Sequence, residues 1–409
     1  MKKPLVFYLI DDDLDVLTLV RFLLEDAGYQ VYSSTSSKKA VEEIIAKRPD
    51  VVLTDIMMPE LDGFEVCKKL REVDELKNTK IIMLTAKTYD FDRRRAHQLG
   101  ADDYVHKPFI TETFVAQIEA LIADRMTLTY WGVRGTLPVP GNRALRYGGN
   151  TSCVTLSFKD DQFFVFDAGT GIKELSDHLL SQGKLKSSAK IFISHPHWDH
   201  INALPFFAPM YIQGGEFEIC GPLQGDMTMR EMISYQMDSI YFPITIREFG
   251  ARVYFRNLRE EKISYDGTDI STMLLTHPGN CLGYRIKRKD TTVCYVTDNE
   301  LFLDGAPEFN ATQFNKLVSF VQGADILITD TTYSDEEYKT KVGWGHSCAS
   351  QVARLAHNAG VGTLHLFHHD PSQDDDAIDK KLAQAEKALK ELGSSTKCIA
   401  PAERDSFTI

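Results

Sequence analysis

The feature that most restricts the fold is a dense group of histidine and aspartate side chains at the end of one apolar run. Residues 195–200 read HPHWDH and follow the run Ile191 to Ser194, which predicts a strand. Residues two apart in an extended segment face the same way, so the first two histidines can hold one metal ion. The aspartate and the third histidine can turn toward a second ion. The sequence therefore predicts a two-metal site at a strand end.

Three further candidate ligands come later in the chain, each directly after an apolar run. His277 follows MLLT, Asp298 follows CYVT and His368 follows LHLF. His369 is an alternative to His368, because the sequence does not show which of the two adjacent imidazoles faces the site. Ligands collect at strand ends in sheets of this kind, so these side chains can complete the ligand sets that residues 195–200 begin.

The first 124 residues are organised differently, because apolar runs alternate with amphipathic helical patterns. This alternation is typical of repeated βα units that build a parallel sheet. Apolar residues between 14 and 24 recur at helical spacing, for example, and Gly28 follows where a C-cap is expected. The candidate strands are Leu5 to Ile10, Gln30 to Ser33, Val51 to Thr54, Ile81 to Thr85 and Asp103 to His106.

Carboxylates gather at the strand ends of this N-terminal sheet. The first strand ends in Asp11 and Asp12 and the third in Asp55, at the edge where open parallel sheets bind ligands. Carboxylates held this close are costly unless a cation lies among them, and hard oxygen ligands suit magnesium. The fourth and fifth strands add Thr85, a hydroxyl donor, and Lys107, a cation able to meet a phosphoryl oxygen. Taken singly, each aspartate could instead cap a helix or begin a turn.

Together these residues resemble the receiver domain of two-component response regulators. The resemblance covers about residues 3 to 124 and is carried by LIDDD, LTDIMMPELDGFEV, MLTA and the dipeptide Lys107-Pro108. It implies that Asp55 accepts a phosphoryl group from a sensor histidine kinase. It also implies a magnesium site at Asp11, Asp12, Asp55 and the Met57 carbonyl, and phosphate sensing by Thr85, Tyr104 and Lys107.

In the second half, HPHWDH matches the HxHxDH motif of the metallo-β-lactamase superfamily at every defined position. The resemblance implies two divalent ions, zinc, manganese or iron, with Asp298 between them and Asp199 orienting the attacking water. Asp167-Ala168-Gly169 resembles the Asp-x-Gly turn of the family and has a supporting role. The implied ligands are His195, His197 and His277 for one ion and Asp199, His200 and His368 for the other.

His346 bears on which reaction this fold would catalyse. Gly345-His346-Ser347-Cys348 resembles the His-Ser-Thr motif of the ribonuclease Z and related phosphodiesterase branch, in which the histidine protonates the leaving group. Cys348 departs from that motif, and the alternative is a helix N-terminus with a chance histidine. Asp330, after the run ILIT, is a candidate to orient His346 or a ligand histidine, or else a turn cap.

Other segments give weaker signals. The runs WGVRGT, YGGNTSC, GWGHS and FHHDP resemble uncharacterised bacterial hydrolases of the same branch, and they make Arg134 and Asn150 candidate substrate contacts. Either residue could instead serve turn geometry. Met227 to Phe242, rich in Met, Tyr and Phe, predicts core packing or an apolar lid. The histidines outside any motif are expected at surface or packing positions: His97, His106, His178, His357 and His365.

We therefore expect an α/β protein with a flavodoxin-like (βα)5 receiver domain over residues 1–124 and an αββα four-layer metallo-β-lactamase fold over residues 125–409. No linker rich in Ser, Gly or Pro separates them, which predicts mechanical coupling. The seven cysteines form no CxxC pair, which suits a reducing compartment. No run approaches the roughly 20 apolar residues of a membrane-spanning helix. A soluble cytoplasmic protein is expected, and the resemblance is compatible with a homodimer formed through the receiver.

The formal net charge of −12 disfavours a large nucleic-acid footprint. The function predicted from the sequence is hydrolysis of a small phosphodiester, such as a cyclic nucleotide, under control of Asp55 phosphorylation. Two alternatives stay open. One is a thioester or lactone hydrolase in which His346 is structural, and the other is a non-catalytic signalling scaffold.

Overall fold

The computed structural model describes residues 5–77, 79–85, 99–122, 126–158, 163–184, 186–265, 267–303 and 305–409. Internal contacts divide the chain into two units, Met1–Asp124 and Arg125–Ile409. In the described part of the chain, no helix is both long and apolar enough to cross a membrane.

The N-terminal unit is built on a five-stranded parallel sheet with the strand order β2-β1-β3-β4-β5. The strands are β1 Val6–Ile10, β2 Gln30–Ser34, β3 Val51–Asp55, β4 Lys80–Thr85 and β5 Asp103–His106. The described helices are α1 Leu14–Asp26, α2 Ser37–Lys47, α3 Gly63–Arg71 and α4 Thr111–Ile122.

Helices cover both faces of this sheet because successive residues of each strand point to opposite sides. Phe7 and Leu9 of β1 lie in the core that includes residues of α1 and α4. Tyr8 and Ile10 lie in the other core, with residues of α2 and α3. The expected doubly wound fold of the receiver is confirmed, and each predicted strand lies within two residues of its observed position.

The C-terminal unit contains two seven-stranded sheets with the orders β11-β10-β9-β8-β7-β6-β19 and β12-β13-β14-β15-β16-β17-β18. The strands are β6 Thr127–Gly132, β7 Cys153–Ser157, β8 Phe163–Phe166, β9 Ser188–Phe192, β10 Glu216–Pro222, β11 Arg252–Leu258, β12 Lys262–Tyr265, β13 Thr268–Leu274, β14 Leu282–Arg288, β15 Thr291–Val296, β16 Ile326–Asp330, β17 Thr363–Phe367, β18 Lys397–Ile399 and β19 Ser406–Thr408. The helices are α5 Gly171–Ser181, α6 Trp198–Ile201, α7 Met229–Gln236, α8 Ala311–Val321, α9 Asp335–Tyr338, α10 Ala349–Ala359 and α11 Asp375–Glu391.

The two sheets pack face to face through an aromatic-rich core. Phe166 and Phe192 of the first sheet contact Tyr284 of the second, with ring centroids 5.8 and 5.4 Å from it. A second core joins α5 and α7 to the outer face of the first sheet. A third core joins α8, α10 and α11 to the other sheet. The expected αββα arrangement is confirmed.

Several predictions about individual segments can be refined. In the segment 227–242, Met229 and Ile233 are buried in the core, whereas Ile240 and Tyr241 are 83% and 80% exposed. The core interpretation holds for the buried residues of α7 and for Met237 and Phe242, but not for Ile240 and Tyr241. All seven cysteines are free. His365 is buried and contacts the hydroxyl of Tyr130 at 2.6 Å, as expected of a packing residue. His97 lies outside the described residues.

Candidate functional site

The acidic residues of the N-terminal unit converge on Lys107. Asp11 follows β1, Asp55 ends β3 and Lys107 follows β5, so the three share the carboxyl edge of the sheet. Lys107 Nζ lies 2.5 Å from Asp11 Oδ2 and 2.5 Å from Asp55 Oδ1. Burial opposes the charge of Lys107, but the two carboxylates outweigh it and raise its pKa. Burial also raises the pKa of Asp11. Asp13 stands apart and caps α1, where it accepts hydrogen bonds from two N–H groups of the first turn.

The remaining predicted receiver residues lie on the same strand ends. Asp12 is exposed beside Asp11. Met57 follows β3, and its N–H donates to Asp55 Oδ2 at 2.5 Å. Thr85 is buried at the end of β4, and Tyr104 is half-buried within β5. With the exception of Tyr104, which lies inside β5, the residues that the sequence assigned to magnesium and phosphate thus lie at the carboxyl ends of the strands.

In the C-terminal unit, the histidine-rich segment leaves β9 and begins the short helix α6. The strand β9 ends at Phe192, two residues before the predicted end. Ser194 departs from the strand because its N–H donates to Asp167 Oδ1 at 2.7 Å and its hydroxyl donates to Asp167 Oδ2 at 2.9 Å. Asp167 therefore directs the chain into the turn that carries the histidines.

The structure brings all seven predicted metal ligands together. They form two groups that share Asp298, and within each group the ligand atoms lie within 4.8 Å of one another. One group is His195, His197, His277 and Asp298, and the other is Asp199, His200, Asp298 and His368. These groups coincide with the two ligand sets expected from the sequence.

Asp298 faces both groups with different oxygens. Its Oδ2 lies 3.6 Å from His195 Nε2 and 3.8 Å from His277 Nε2. Its Oδ1 lies 3.2 Å from Nε2 of both His200 and His368. A carboxylate with one oxygen toward each group is placed to bridge two ions.

The donor set fits metal ions better than it fits a hydrogen-bonded cluster. His200 Nε2 is buried and forms no hydrogen bond within the described residues, although two carboxylate oxygens lie 3.2 Å from it. His197 Nδ1 lies 2.8 Å from His195 Nε2 and 3.3 Å from His277 Nε2. Imidazole nitrogens that converge in this way, together with carboxylates, are the ligands of zinc and related ions.

Each buried ligand imidazole is oriented through its other ring nitrogen. His200 Nδ1 lies 2.8 Å from Asp167 Oδ2, and His277 Nδ1 lies 2.9 Å from the carbonyl oxygen of Gly345. His368 Nδ1 lies 3.0 Å from the hydroxyl of Thr332. Such outer contacts fix the tautomer and the direction of a ligating imidazole.

The pKa values of most ligands favour the forms that bind metal. Burial holds the pKa of His195 well below its usual range and also lowers the pKa of His197 and His277. Burial opposes the charge of Asp298, but the surrounding histidines outweigh it and lower its pKa. Neutral imidazoles and ionised carboxylates are the ligating forms.

His346 lies beside the second group without joining the predicted ligand set. Its Nδ1 is 2.7 Å from Asp330 Oδ2, and its ring stacks on His368 with a centroid distance of 5.1 Å. Burial opposes its charge, but Asp330 outweighs burial and raises the pKa of His346 to about 9. Asp330 therefore favours the protonated form of His346 in the metal-free protein and aims its imidazole. Asp330 occupies the orienting position that the sequence suggested.

The adjacent histidine His369 does not join the cluster. It is fully buried, and its Nδ1 lies 3.0 Å from Nζ of the buried Lys381. His368 adopts a φ of +60°, which turns the chain so that the two neighbouring imidazoles point to different surroundings. The structure thus places His368, and not its rival, in the ligand set.

Two predicted substrate contacts are corrected by the structure. Arg134 is completely buried, and its guanidinium donates to the carbonyl oxygens of Gly148 and Gln373. Asn150 donates its side-chain amide to Glu403 Oε2 at 3.0 Å. Both residues hold loops in place, which is the alternative that the sequence left open, and neither is aimed at the histidines.

Two residues of the run WGVRGT other than the predicted Arg134 also shape the site. The N–H of Thr136 donates to Asp199 Oδ2 at 2.7 Å. A Cβ on Gly135 would lie 2.1 Å from the ring of His368, so this position has room only for glycine. The run WGVRGT therefore contributes to the site through its last two residues. In the sequence, the signal for Gly135 and Thr136 was their place in this motif-like run.

Comparison with known proteins agrees with this division. A family model for the response regulator receiver domain matches residues 7–119, and one for the beta-lactamase superfamily domain matches residues 163–369, just over half of the chain. The chain belongs to the beta-lactamase superfamily and carries a response-regulator receiver domain at its N-terminal side.

Individual relatives cover one unit each. The alkaline phosphatase synthesis transcriptional regulatory protein PhoP of Bacillus subtilis (strain 168) is 39% identical over 121 residues, which is 30% of this chain and 48% of PhoP. The chain thus spans about half the length of that relative. The metallo-beta-lactamase fold protein YhfI from Bacillus subtilis aligns with a TM-score of 0.51 and 18% identity, covering 70% of this chain and all of YhfI. Human tRNase Z, short form, aligns with a TM-score of 0.47 and 19% identity over 69% of this chain and 98% of its own.

Proposed function

We propose that this protein is a response regulator whose output domain is a dinuclear metal-dependent phosphodiesterase acting on a small phosphodiester, with its rate set by phosphorylation of Asp55. The observation that carries the proposal is the pair of His346 and Asp330, 2.7 Å apart beside the ligand His368. A protonated imidazole at this place suits a reaction whose leaving group must receive a proton.

The metal ions would be held by the two groups that share Asp298. Zinc, manganese or iron suits this set of imidazoles and carboxylates. When bound, two such ions activate a water molecule and stabilise the charge that develops on a phosphoryl group.

The protein side chains account for the proton transfers and the orientation. Asp199 Oδ2 accepts from the N–H of Thr136, which fixes the carboxylate that would orient the attacking water. His346 donates its proton to the departing oxygen, and Asp330 stabilises the imidazolium before the transfer. An alkoxide leaving group gains most from this donor, because a poor leaving group departs only when it is protonated.

The net charge of −12 favours a small substrate over a nucleic acid. A cyclic nucleotide or a dinucleotide is small enough to meet this condition, since the ions would neutralise its charge locally.

The receiver would supply the control. Asp55 accepts the phosphoryl group from a sensor histidine kinase, and magnesium binds at Asp11, Asp12, Asp55 and the Met57 carbonyl. The phosphoryl group would replace one carboxylate contact of Lys107, which now spans Asp11 and Asp55. Thr85 and Tyr104 would then respond to the added charge and acceptors.

The test compares two phosphodiesters with manganese- and zinc-loaded protein. In bis(p-nitrophenyl) phosphate the leaving group departs readily, whereas in thymidylyl-thymidine it is an alkoxide. We expect His346→Ala to lower kcat/KM for the dinucleotide by about 10²- to 10⁴-fold, with a much smaller loss for the aryl ester. Asp199→Asn should abolish both reactions. His357→Ala, a histidine on the helix α10, serves as the matched control and should leave both rates unchanged.

Three outcomes would count against the proposal. No turnover of either phosphodiester by protein with its metals verified as bound would overturn it. Hydrolysis of phenyl thioacetate at a rate that His346→Ala does not change would favour a thioester hydrolase. Absence of any hydrolysis, with metal bound, would favour the scaffold alternative.

A further inference from the structure

The turn that precedes His346 is held rigidly by one buried carboxylate. Glu300 is 4% exposed, and its Oε1 accepts from the hydroxyl of Tyr338 at 2.8 Å and from the N–H of Gly343 at 2.7 Å. Its Oε2 accepts from the N–H of Gly345 at 2.7 Å. Three hydrogen bonds to a charged group therefore fix the backbone of residues 338–345.

An exposed tryptophan lies at the centre of this rigid turn. Trp344 is 58% exposed, although the N–H groups of the glycines on both sides of it donate to Glu300. Lys341 Nζ lies 4.1 Å from the centroid of the indole ring. A large aromatic group kept at the surface on a fixed backbone is a preorganised contact, because little conformational entropy is lost when a ligand binds it.

The same lysine connects the turn to the proposed proton donor. Lys341 Nζ lies 5.6 Å from the ring centroid of Tyr333, and the Tyr333 ring meets His346 edge-on at 5.9 Å and 85°. Lys341 is thus separated from His346 by one buried ring. Within the described residues, Lys341 forms no ion pair, and its ammonium lies over the two aromatic rings. Its positive charge is therefore available to an anion at the edge of the site.

We propose that Trp344 and Lys341 bind the leaving-group half of the substrate, and that this half is a nucleotide. The base stacks on the indole ring of Trp344, and a phosphate of the same nucleotide pairs with the Lys341 ammonium. This inference rests on the proposed function, in which His346 donates its proton to the departing oxygen. Trp344 lies on the same turn as His346, and Lys341 is separated from His346 by the ring of Tyr333, so both residues are placed beside the departing group. It narrows the substrate class to phosphodiesters whose alcohol side carries a purine or pyrimidine and a further phosphate.

The experiment is an equilibrium titration of the manganese-loaded full chain with AMP, adenosine and ribose 5-phosphate. Isothermal titration calorimetry measures the affinity for each ligand. We expect AMP to bind more tightly than either partial ligand. Trp344→Leu should weaken AMP and adenosine by about tenfold or more, and Trp344→Phe should retain most of the affinity, because stacking needs only an aromatic ring. Ribose 5-phosphate should bind Trp344→Leu as it binds the wild type.

Lys341→Met should weaken AMP and ribose 5-phosphate by about five- to tenfold and leave adenosine unchanged, since only the phosphate meets the ammonium. Lys339→Met, on the same turn, and Tyr254→Ala, an exposed aromatic residue of β11, are the matched controls and should bind AMP like the wild type. Equal affinity of the wild type for AMP and ribose 5-phosphate overturns the proposal. Wild-type AMP affinity in Trp344→Leu or in Lys341→Met also overturns it.

Because the titration requires no turnover, its result separates the two proposals. Binding of AMP in this pattern without hydrolysis of any phosphodiester would support the nucleotide site and overturn the proposed reaction. Hydrolysis of phosphodiesters by a protein that binds AMP and ribose 5-phosphate equally would support the reaction and overturn the nucleotide site.

Discussion

Three of the residues that build the candidate metal site adopt a backbone conformation that residues other than glycine rarely take. The φ angles are +60° at Asp167, +33° at Asp298 and +60° at His368. Each of these residues comes directly or nearly directly after a strand, so the turn at that point redirects the side chain toward the cluster. Such strain persists only where the surrounding structure requires it, and it gathers at functional sites.

Asp167 offers a test of the outer contacts, because asparagine tolerates a positive φ nearly as well as aspartate does. Asp167→Asn therefore keeps the turn and removes the charge that orients His200. We expect affinity for the ions to fall by about 10- to 100-fold. The free energy of unfolding should also fall, by about 1–3 kcal/mol, because the amide leaves at least one buried donor without an acceptor. Competition with a chromophoric chelator measures the affinity. Asp177→Asn, on the exposed face of α5, is the control, and wild-type affinity in Asp167→Asn would show that His200 needs no such contact.

Asp330 should control the protonation of His346. In the metal-free protein Asp330 raises the pKa of His346 to about 9. Asp330→Asn should therefore lower the pKa of His346 toward its usual value near 6.5 or below it. The stabilisation that comes from the pair is complete below the unfolded pKa near 6.5 and is lost as pH rises through about 9. An NMR titration of the imidazole measures the shift. An unchanged pKa in the variant would remove Asp330 from its orienting role.

The same residues show what sequence can and cannot predict at this scale. The four ligands within residues 195–200 lie so close in sequence that local geometry alone brings them together. His277, Asp298 and His368 could be proposed because each follows a strand. The choice between His368 and His369 depended on a backbone angle. The burial of Arg134 depended on the carbonyl oxygens of Gly148 and of Gln373, which is 239 residues away in sequence. Neither has a local signature.

At the scale of elements, the turn of residues 338–345 depends on Glu300, which follows a different strand, β15. No sequence pattern indicates Glu300, because a glutamate after a strand end is ordinary and its partners are two backbone N–H groups and a tyrosine hydroxyl. By contrast, alternating apolar runs and helical patterns predicted nearly every strand of the receiver. Hydrophobic periodicity is visible within a short stretch of sequence, whereas a hydrogen-bonded contact between two distant loops is not.

Glu300→Gln tests the anchor without a large change of shape. The amide has one acceptor oxygen where the carboxylate has two, so at least one buried donor of the turn loses its partner. We expect the free energy of unfolding to fall by about 1–3 kcal/mol. We also expect weaker metal binding, because the carbonyl oxygen of Gly345 orients His277. Urea unfolding and chelator competition measure the two effects. Glu336→Gln, an exposed position on α9, is the control, and wild-type behaviour of Glu300→Gln in both assays would contradict the anchor.

At the scale of the whole molecule, the chain joins a response-regulator receiver domain to a beta-lactamase superfamily domain through a short stretch of sequence around residue 124. The receiver domain could be recognised from its sequence, because the functional groups that the resemblance implies belong to recognisable runs at the ends of successive strands. Regulation is a property of the equilibrium between two states of the full chain, and it is set by small differences in free energy. Neither sequence patterns nor a single structure contain that difference, so it has to be measured.

Phosphorylation of the full chain should change the catalytic rate, and Asp55 and Thr85 allow the two steps to be separated. Acetyl phosphate with magnesium should add one phosphoryl group to the wild type and none to Asp55→Asn, as read by intact mass. We expect kcat/KM for the dinucleotide to change by about 5- to 150-fold in the phosphorylated wild type, the range of ordinary allosteric coupling. Thr85→Ala should still be phosphorylated, because the phosphoryl group is transferred to Asp55. It should lose most of the change in kcat/KM, because it lacks the hydroxyl that would contact the phosphoryl group. Full phosphorylation without any change in rate would show that the receiver acts on a partner rather than on the enzyme it is fused to.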